Sequence, residues 1–193
     1  MRRLLLALVV AMTGCSDSPA PTTGVYQNVS PCNGTLTIED NRSGMHVEPG
    51  TDIQWTNNPP TSGSHYPTWA AWDRSYAQLP RGYYVHNAEH GGVIFLYHCD
   101  PDCPDVVASL LDAARHMTAD SACISPITKR VIVTSDPLLP DGVQVAAVAW
   151  NAAYTASCFD PYVSQFAREH YAHAPEDFCN DGANLSGTPI TQP

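Results

Sequence analysis

Apolar and polar residues alternate over Thr35-Leu36-Thr37-Ile38-Glu39, which predicts a strand with one face in water. Asp52-Ile53-Gln54-Trp55 predicts a second short strand. The run Gly92-Val93-Ile94-Phe95-Leu96-Tyr97 is instead continuously apolar and of strand length, so it predicts a buried central strand. Pro104 then opens a helix at its first position, and Val106, Val107, Leu110, Leu111, Ala114 and Met117 recur at helical spacing. Residues 131–134 and 143–150 predict two further strands around a turn at 136–142. Asp160-Pro161 joins a capping residue to an N1 proline. The helix it starts runs to about residue 173, with Tyr162, Phe166, Ala167 and Tyr171 available for packing. Strands come first, followed by β-α-β-β-α. The expectation is a single α+β domain, with a small mixed or antiparallel sheet and two main helices in the C-terminal half.

The first residues follow a different pattern. Arg2 and Arg3 precede a short apolar run over residues 4–12, too short for a bilayer, which takes about 20 residues. Thr13, Gly14 and Cys15 follow. This resembles the bacterial lipobox, with Met12 where leucine is usual, and implies a signal peptide over 1–14 and acyl chains on Cys15. Two or more acyl chains give stable membrane anchoring. Residues 15–31 then read as the lipidated cysteine and a Pro-rich polar tether. The globular domain is expected over 32–179, and 180–193 as a loose tail. The expected location is the bacterial cell envelope, on the periplasmic or cell-surface side, with the membrane and other envelope proteins as partners.

Charge and cysteines agree with export. The chain has 19 acidic against 9 basic residues, and Lys129 is its only lysine. Losing Arg2 and Arg3 moves the net charge from −10 to −12, which repels nucleic acid. Beyond Cys15 there remain Cys32, Cys99, Cys103, Cys123, Cys158 and Cys179, an even set that reads as disulfides in an oxidising compartment. The pairing expected is Cys158 with Cys179 across the last helix and Cys123 with Cys99 or Cys103, leaving Cys32 the remainder.

Two constellations offer chemistry. The first is His86-x-x-Glu89-His90 together with His65, which lies in the Pro-rich loop 57–67. On a helical turn His86 and His90 share a face, as two metal ligands require. His65 supplies a third nitrogen, and Glu89 a fourth ligand, an orienter or a base. Mixed imidazole and carboxylate donors suit zinc or copper(II). The alternative is structural, with imidazoles bracing loops and Gly91-Gly92 permitting a tight turn. The same letters spell H-x-x-E-H, a zinc-peptidase order in which Glu89 would activate water as the catalytic residue. Against that, two glycines and a strand follow at once, and the chain is short for that class. The second constellation is Cys99-Asp100-Pro101-Asp102-Cys103-Pro104 between a strand and a helix. It is similar to the thiol or copper(I) sites of thioredoxin-fold proteins. The even cysteine count favours plain disulfides there. Whether the protein is an enzyme stays open, leaning against.

Single histidines (His46 beside Met45, His98, His116, His170, His173) stay outside the expected site, although Met45-His46 would suit copper. Trp69, Trp72, Tyr76, Tyr83 and Tyr84 read as core more readily than as the walls of a groove. There is no glycine-rich phosphate loop and no G-x-S-x-G elbow.

Three separated segments resemble the domain-of-unknown-function 3105 family of bacterial envelope proteins. They are Asn58-Pro59-Pro60-Thr61-Ser62-Gly63-Ser64-His65-Tyr66-Pro67; Val85-His86-Asn87-Ala88-Glu89-His90-Gly91-Gly92-Val93; and Val148-Ala149-Trp150 with Phe159-Asp160 and Ala174-Pro175-Glu176. The resemblance implies that His65, His86, Glu89 and His90 belong to the family's motifs. It carries over no activity.

Overall fold

The computed structural model describes residues 30–42 and 44–190. The expected signal peptide, Cys15 and most of the tether lie outside the described residues. The described chain runs β1 (Thr35–Ile38), β2 (Arg74–Tyr76), α1 (Arg81–Glu89), β3 (Val93–Tyr97), α2 (Pro104–Arg115), β4 (Val131–Ser135), β5 (Val145–Ala149), β6 (Ala152–Ala156), α3 (Pro161–His170) and β7 (Thr188–Pro189). The strands form one sheet in the order β1-β6-β5-β3-β4-β2-β7. The β3–β4 and β4–β2 pairs are parallel and the others antiparallel. This is the expected α+β class, with a mixed sheet.

The apolar run becomes β3 in the middle of the sheet, and its first four residues are fully buried. Successive side chains of a strand point to opposite faces. Val93 and Phe95 therefore join one core with Val131, Val133, Leu110, Val163 and Phe166, closed by α2 and α3. Ile94 and Leu96 join a second core with Ile132, Ala146, Val148, Tyr84, Val85 and Ala88, closed by α1 and the loops around it.

The capping chemistry of α2 and α3 is local. Asp160 caps α3, accepting from the Tyr162 N–H at 2.9 Å, and its other oxygen accepts from the Tyr154 hydroxyl at 2.7 Å. The buried Lys129 ammonium donates to the carbonyls of Ala114, Arg115 and Met117 at 3.1, 2.8 and 3.0 Å. It thus places a positive charge where the α2 dipole favours one.

Three expectations are corrected, and one helix is added to the two that hold. Residues 52–55 form no strand, because that segment finds no sheet edge to pair with. A third helix, α1, joins the two expected. The disulfides are Cys32–Cys158, Cys99–Cys103 and Cys123–Cys179. Pairing of β1 with β6 brings Cys32 beside Cys158, and the Ser157 N–H donates to the Cys32 carbonyl at 2.9 Å. Finally, the chain after Cys179 is not loose as far as it is described. β7 pairs with β2, Ala183 bridges to Ala70, and Ile190 is buried. Among the described residues, no helix is long and apolar enough to cross a membrane.

Candidate metal centre

Helix α1 is short and buried on most sides, with Tyr84, Val85, His86, Asn87 and Ala88 all inaccessible. At its start the Arg81 guanidinium pairs with Asp136 at 3.0 Å and donates to Asn58 Oδ1 at 2.8 Å, which ties the Pro-rich loop to the helix. In its middle the Asn87 amide both accepts from the Ala70 N–H and donates to the Ala70 carbonyl, at 3.0 and 2.8 Å. At its end Gly91 turns the chain with φ +82°, where a Cβ would lie 2.7 Å from the Arg130 guanidinium. That buried guanidinium donates to the His90 carbonyl at 2.7 Å and pairs with Asp120 and Asp177. The helix end carrying Glu89 and His90 is therefore fixed by its surroundings.

The structure brings His65, His86 and Glu89 together as expected, and adds His46. Residue 46 forms a single parallel bridge with residue 65, the Val47 N–H donating to the His65 carbonyl at 2.9 Å. The bridge sets the two imidazoles side by side, with ring centroids 5.0 Å apart. His86 completes a triangle, 4.9 Å from His46 and 4.7 Å from His65. Gly44 is required here: a Cβ would lie 2.2 Å from the Gly63 carbonyl oxygen and 2.7 Å from the His65 ring.

Two of the buried imidazoles are oriented through their inner nitrogens. His65 Nδ1 faces the Gly63 carbonyl at 2.8 Å, and His86 Nδ1 faces the Tyr66 carbonyl at 2.6 Å. A carbonyl only accepts, so both Nδ1 atoms carry protons and both Nε2 atoms of the neutral rings are lone pairs. His65 Nε2 lies 2.9 Å from a Glu89 carboxylate oxygen, yet off the line of a hydrogen bond, and it finds no other partner. Two electron-rich atoms at that distance need a cation between them, either a proton or a metal. Among the described residues, one nitrogen from each of His46, His65 and His86 and one oxygen of Glu89 all lie within 4.8 Å of one another.

His90, expected in the same set, falls into an adjoining group with Glu89 and Glu176. Its Nε2 is 3.0 Å from His86 Nε2 and 3.1 Å from a Glu176 oxygen, while its Nδ1 is buried without a partner. The sequence reading missed both His46 and Glu176. The first had a signal, the Met45-His46 pair; the second had none that marks a ligand, since it lies in a turn after α3.

Electrostatics divide the histidines. Burial, reinforced by the charges of His65 and His46, lowers His86 to about 4 despite its bond to Tyr66. Burial and then His86 lower His90 to about 3. Burial would lower His65 too, but its contact with Glu89 and its bond to Gly63 outweigh that, and the net shift is upward. Glu89 is raised by burial, more than offset by His65, so it lies below the usual range. At neutral pH, His86 and His90 are thus uncharged imidazoles, each with one lone-pair nitrogen.

The aromatics divide as well. Trp72, Tyr76 and Tyr84 are core, while half-buried Trp69 lies 4.3 Å from the His90 ring and 5.1 Å from His86. Cys99 and Cys103 are joined to each other and border a separate depression with Tyr97, Pro104 and Leu111; none of the cluster histidines lines it. The H-x-x-E-H residues do not sit on a long helix, since α1 ends at Glu89 and His90 is its cap.

A family model described as "Protein of unknown function (DUF3105)" matches residues 46–182. Comparison with curated proteins and with solved structures gave no match. The matched span opens on His46 and contains all six residues of the two ligand groups.

Proposed function

The chain belongs to the DUF3105 family of proteins of unknown function, and from that starting point we propose that it binds a transition-metal ion, zinc or copper, through His46, His65, His86 and Glu89. The observation that carries the reading is the pair of Nδ1–carbonyl bonds. They turn two buried lone pairs toward one carboxylate and a third imidazole. Orientation of ligand histidines through the far nitrogen is the usual support of a metal site. Three nitrogens and one oxygen suit zinc or copper(II). The set is packed ring against ring, which fits an ion better than an organic substrate. Exposed His46 is the side from which an ion would enter. The proposal includes export and anchoring by acyl chains on Cys15, which would place the site in the cell envelope.

The test is metal analysis of the untagged protein against the His65→Ala, His86→Ala double variant. Near-stoichiometric metal in the first and none in the second supports the reading. No metal in either, and no binding when zinc or copper is added back, rejects it.

The Nδ1–carbonyl bonds also favour a second reading, in which the histidines only brace the loop 57–67 against α1. It expects the double variant to lose stability, with no difference in metal content.

A further inference from the structure

We infer that the centre holds two ions, the second bound by Glu89, His90 and Glu176, with Glu89 bridging. This rests on the metal-binding reading above and extends it.

Three observations converge. First, Glu89 belongs to both ligand groups, with His46, His65 and His86 in one and with His90 and Glu176 in the other. A carboxylate has two oxygens, enough to reach both positions. Two-metal sites hold their ions about 3.5–4 Å apart, a spacing that one carboxylate spans.

Second, Glu176 is delivered to the site by backbone. Its own N–H donates to the Glu89 carbonyl at 3.1 Å, and four residues earlier the Ala172 N–H donates to the Gly91 carbonyl at 2.9 Å. These bonds lay the turn after α3 against the end of α1. Phe178 covers the His90 ring, centroids 4.0 Å apart. A surface glutamate meeting a histidine by chance needs no such framework.

Third, a cation would balance the groups that meet at His90. His86 Nε2 is a lone pair because its Nδ1 donates to Tyr66. His90 Nε2 faces that lone pair at 3.0 Å and the Glu176 carboxylate at 3.1 Å. A proton on His90 Nε2 satisfies His86 and leaves the half-exposed Glu176 carboxylate to solvent. A proton on Nδ1 instead leaves three electron-rich groups facing one another. A cation among His90 Nε2, Glu89 and Glu176 satisfies the carboxylates and the nitrogen together. The ligand class is a divalent ion of the zinc type. Glu176 is about half exposed, so this position also opens to solvent.

The experiment is a zinc titration of the metal-free protein, with bound metal measured directly, on the unaltered chain and on Glu176→Gln and His46→Ala. Copper(II) loading followed by electron paramagnetic resonance reports whether two ions sit close enough to couple. The expected result is about two equivalents in the unaltered chain, with coupled copper spins. Glu176→Gln should fall to about one equivalent, uncoupled, or bind the second at least roughly tenfold more weakly. His46→Ala should weaken the other position instead. One equivalent in the unaltered chain, unchanged in Glu176→Gln, overturns the second position and leaves the single-ion reading standing. No binding at all overturns both. Because Glu176 is half exposed, its glutamine variant should fold, and an unchanged circular dichroism spectrum checks that it has.

Discussion

The two faces of the sheet are closed by different means. On one, α2 and α3 lay amphipathic stripes over Val93, Phe95, Val131 and Val133, with Asp160 and Lys129 satisfying helix ends. On the other, α1 buries His86 and Asn87 along with Tyr84 and Val85, and a Pro-rich loop supplies His65. The first face is held by apolar area. The second spends part of its interior on imidazoles and amides, each needing a backbone partner. That difference separates the aliphatic part of the domain from the part that carries the candidate metal ligands.

The sharpest break of this contrast is Phe166→Ala on the aliphatic face. It should cost about 3–5 kcal/mol, read by denaturant unfolding, while metal content per folded molecule stays unchanged. Loss of metal there would mean the two faces are not separable.

Acid should act on the other face. In the metal-free protein His86 and His90 have folded pKa values near 4 and 3, below the unfolded value of 6.5. Between those limits the unfolded chain binds more protons, so stability falls as pH drops below about 6.5. His65, shifted upward, works the opposite way: its contribution is fully present below 6.5 and fades as pH rises through its folded pKa. At about 1.4 kcal/mol per unit for each group, His86 and His90 together lose roughly 4 kcal/mol between pH 7 and 5, a loss that His65 partly offsets. His86→Ala should flatten that part of the stability profile; an unchanged profile would remove the histidines as its cause.

Gly44→Ala should cost about 1–3 kcal/mol by overpacking against the Gly63 carbonyl and the His65 ring. It should also weaken metal binding, whereas a purely structural loop would lose stability alone. The smallest expected effect returns to the aliphatic face. Asp160→Ala removes the α3 cap and should cost about 1–2 kcal/mol, again with metal unchanged.

The same division governs what the sequence reveals. β3, β4, β5, α2 and α3 were legible because burial on the aliphatic side imposes a period on the chain. α1 was not, since its buried residues include histidine and asparagine and it is covered on most sides, so no stripe marks it. β6, Ala-Ala-Tyr-Thr-Ala, has little β-branched character and is recruited by β5 and β1. His65, His86 and Glu89 could be read from short motifs. His46 needed a tertiary bridge, and Glu176 a turn brought back over the end of α1. Cys32 met Cys158 through the pairing of β1 with β6, which no spacing of cysteines encodes.

The Cys123–Cys179 bond joins the loop before β4 to the segment just beyond Glu176. It therefore limits how far the turn after α3 can wander from the rest of the domain before its backbone bonds to the end of α1 form. In a reduced chain those backbone bonds alone would have to hold the turn against α1, so the cross-link makes the docked arrangement less costly in chain entropy.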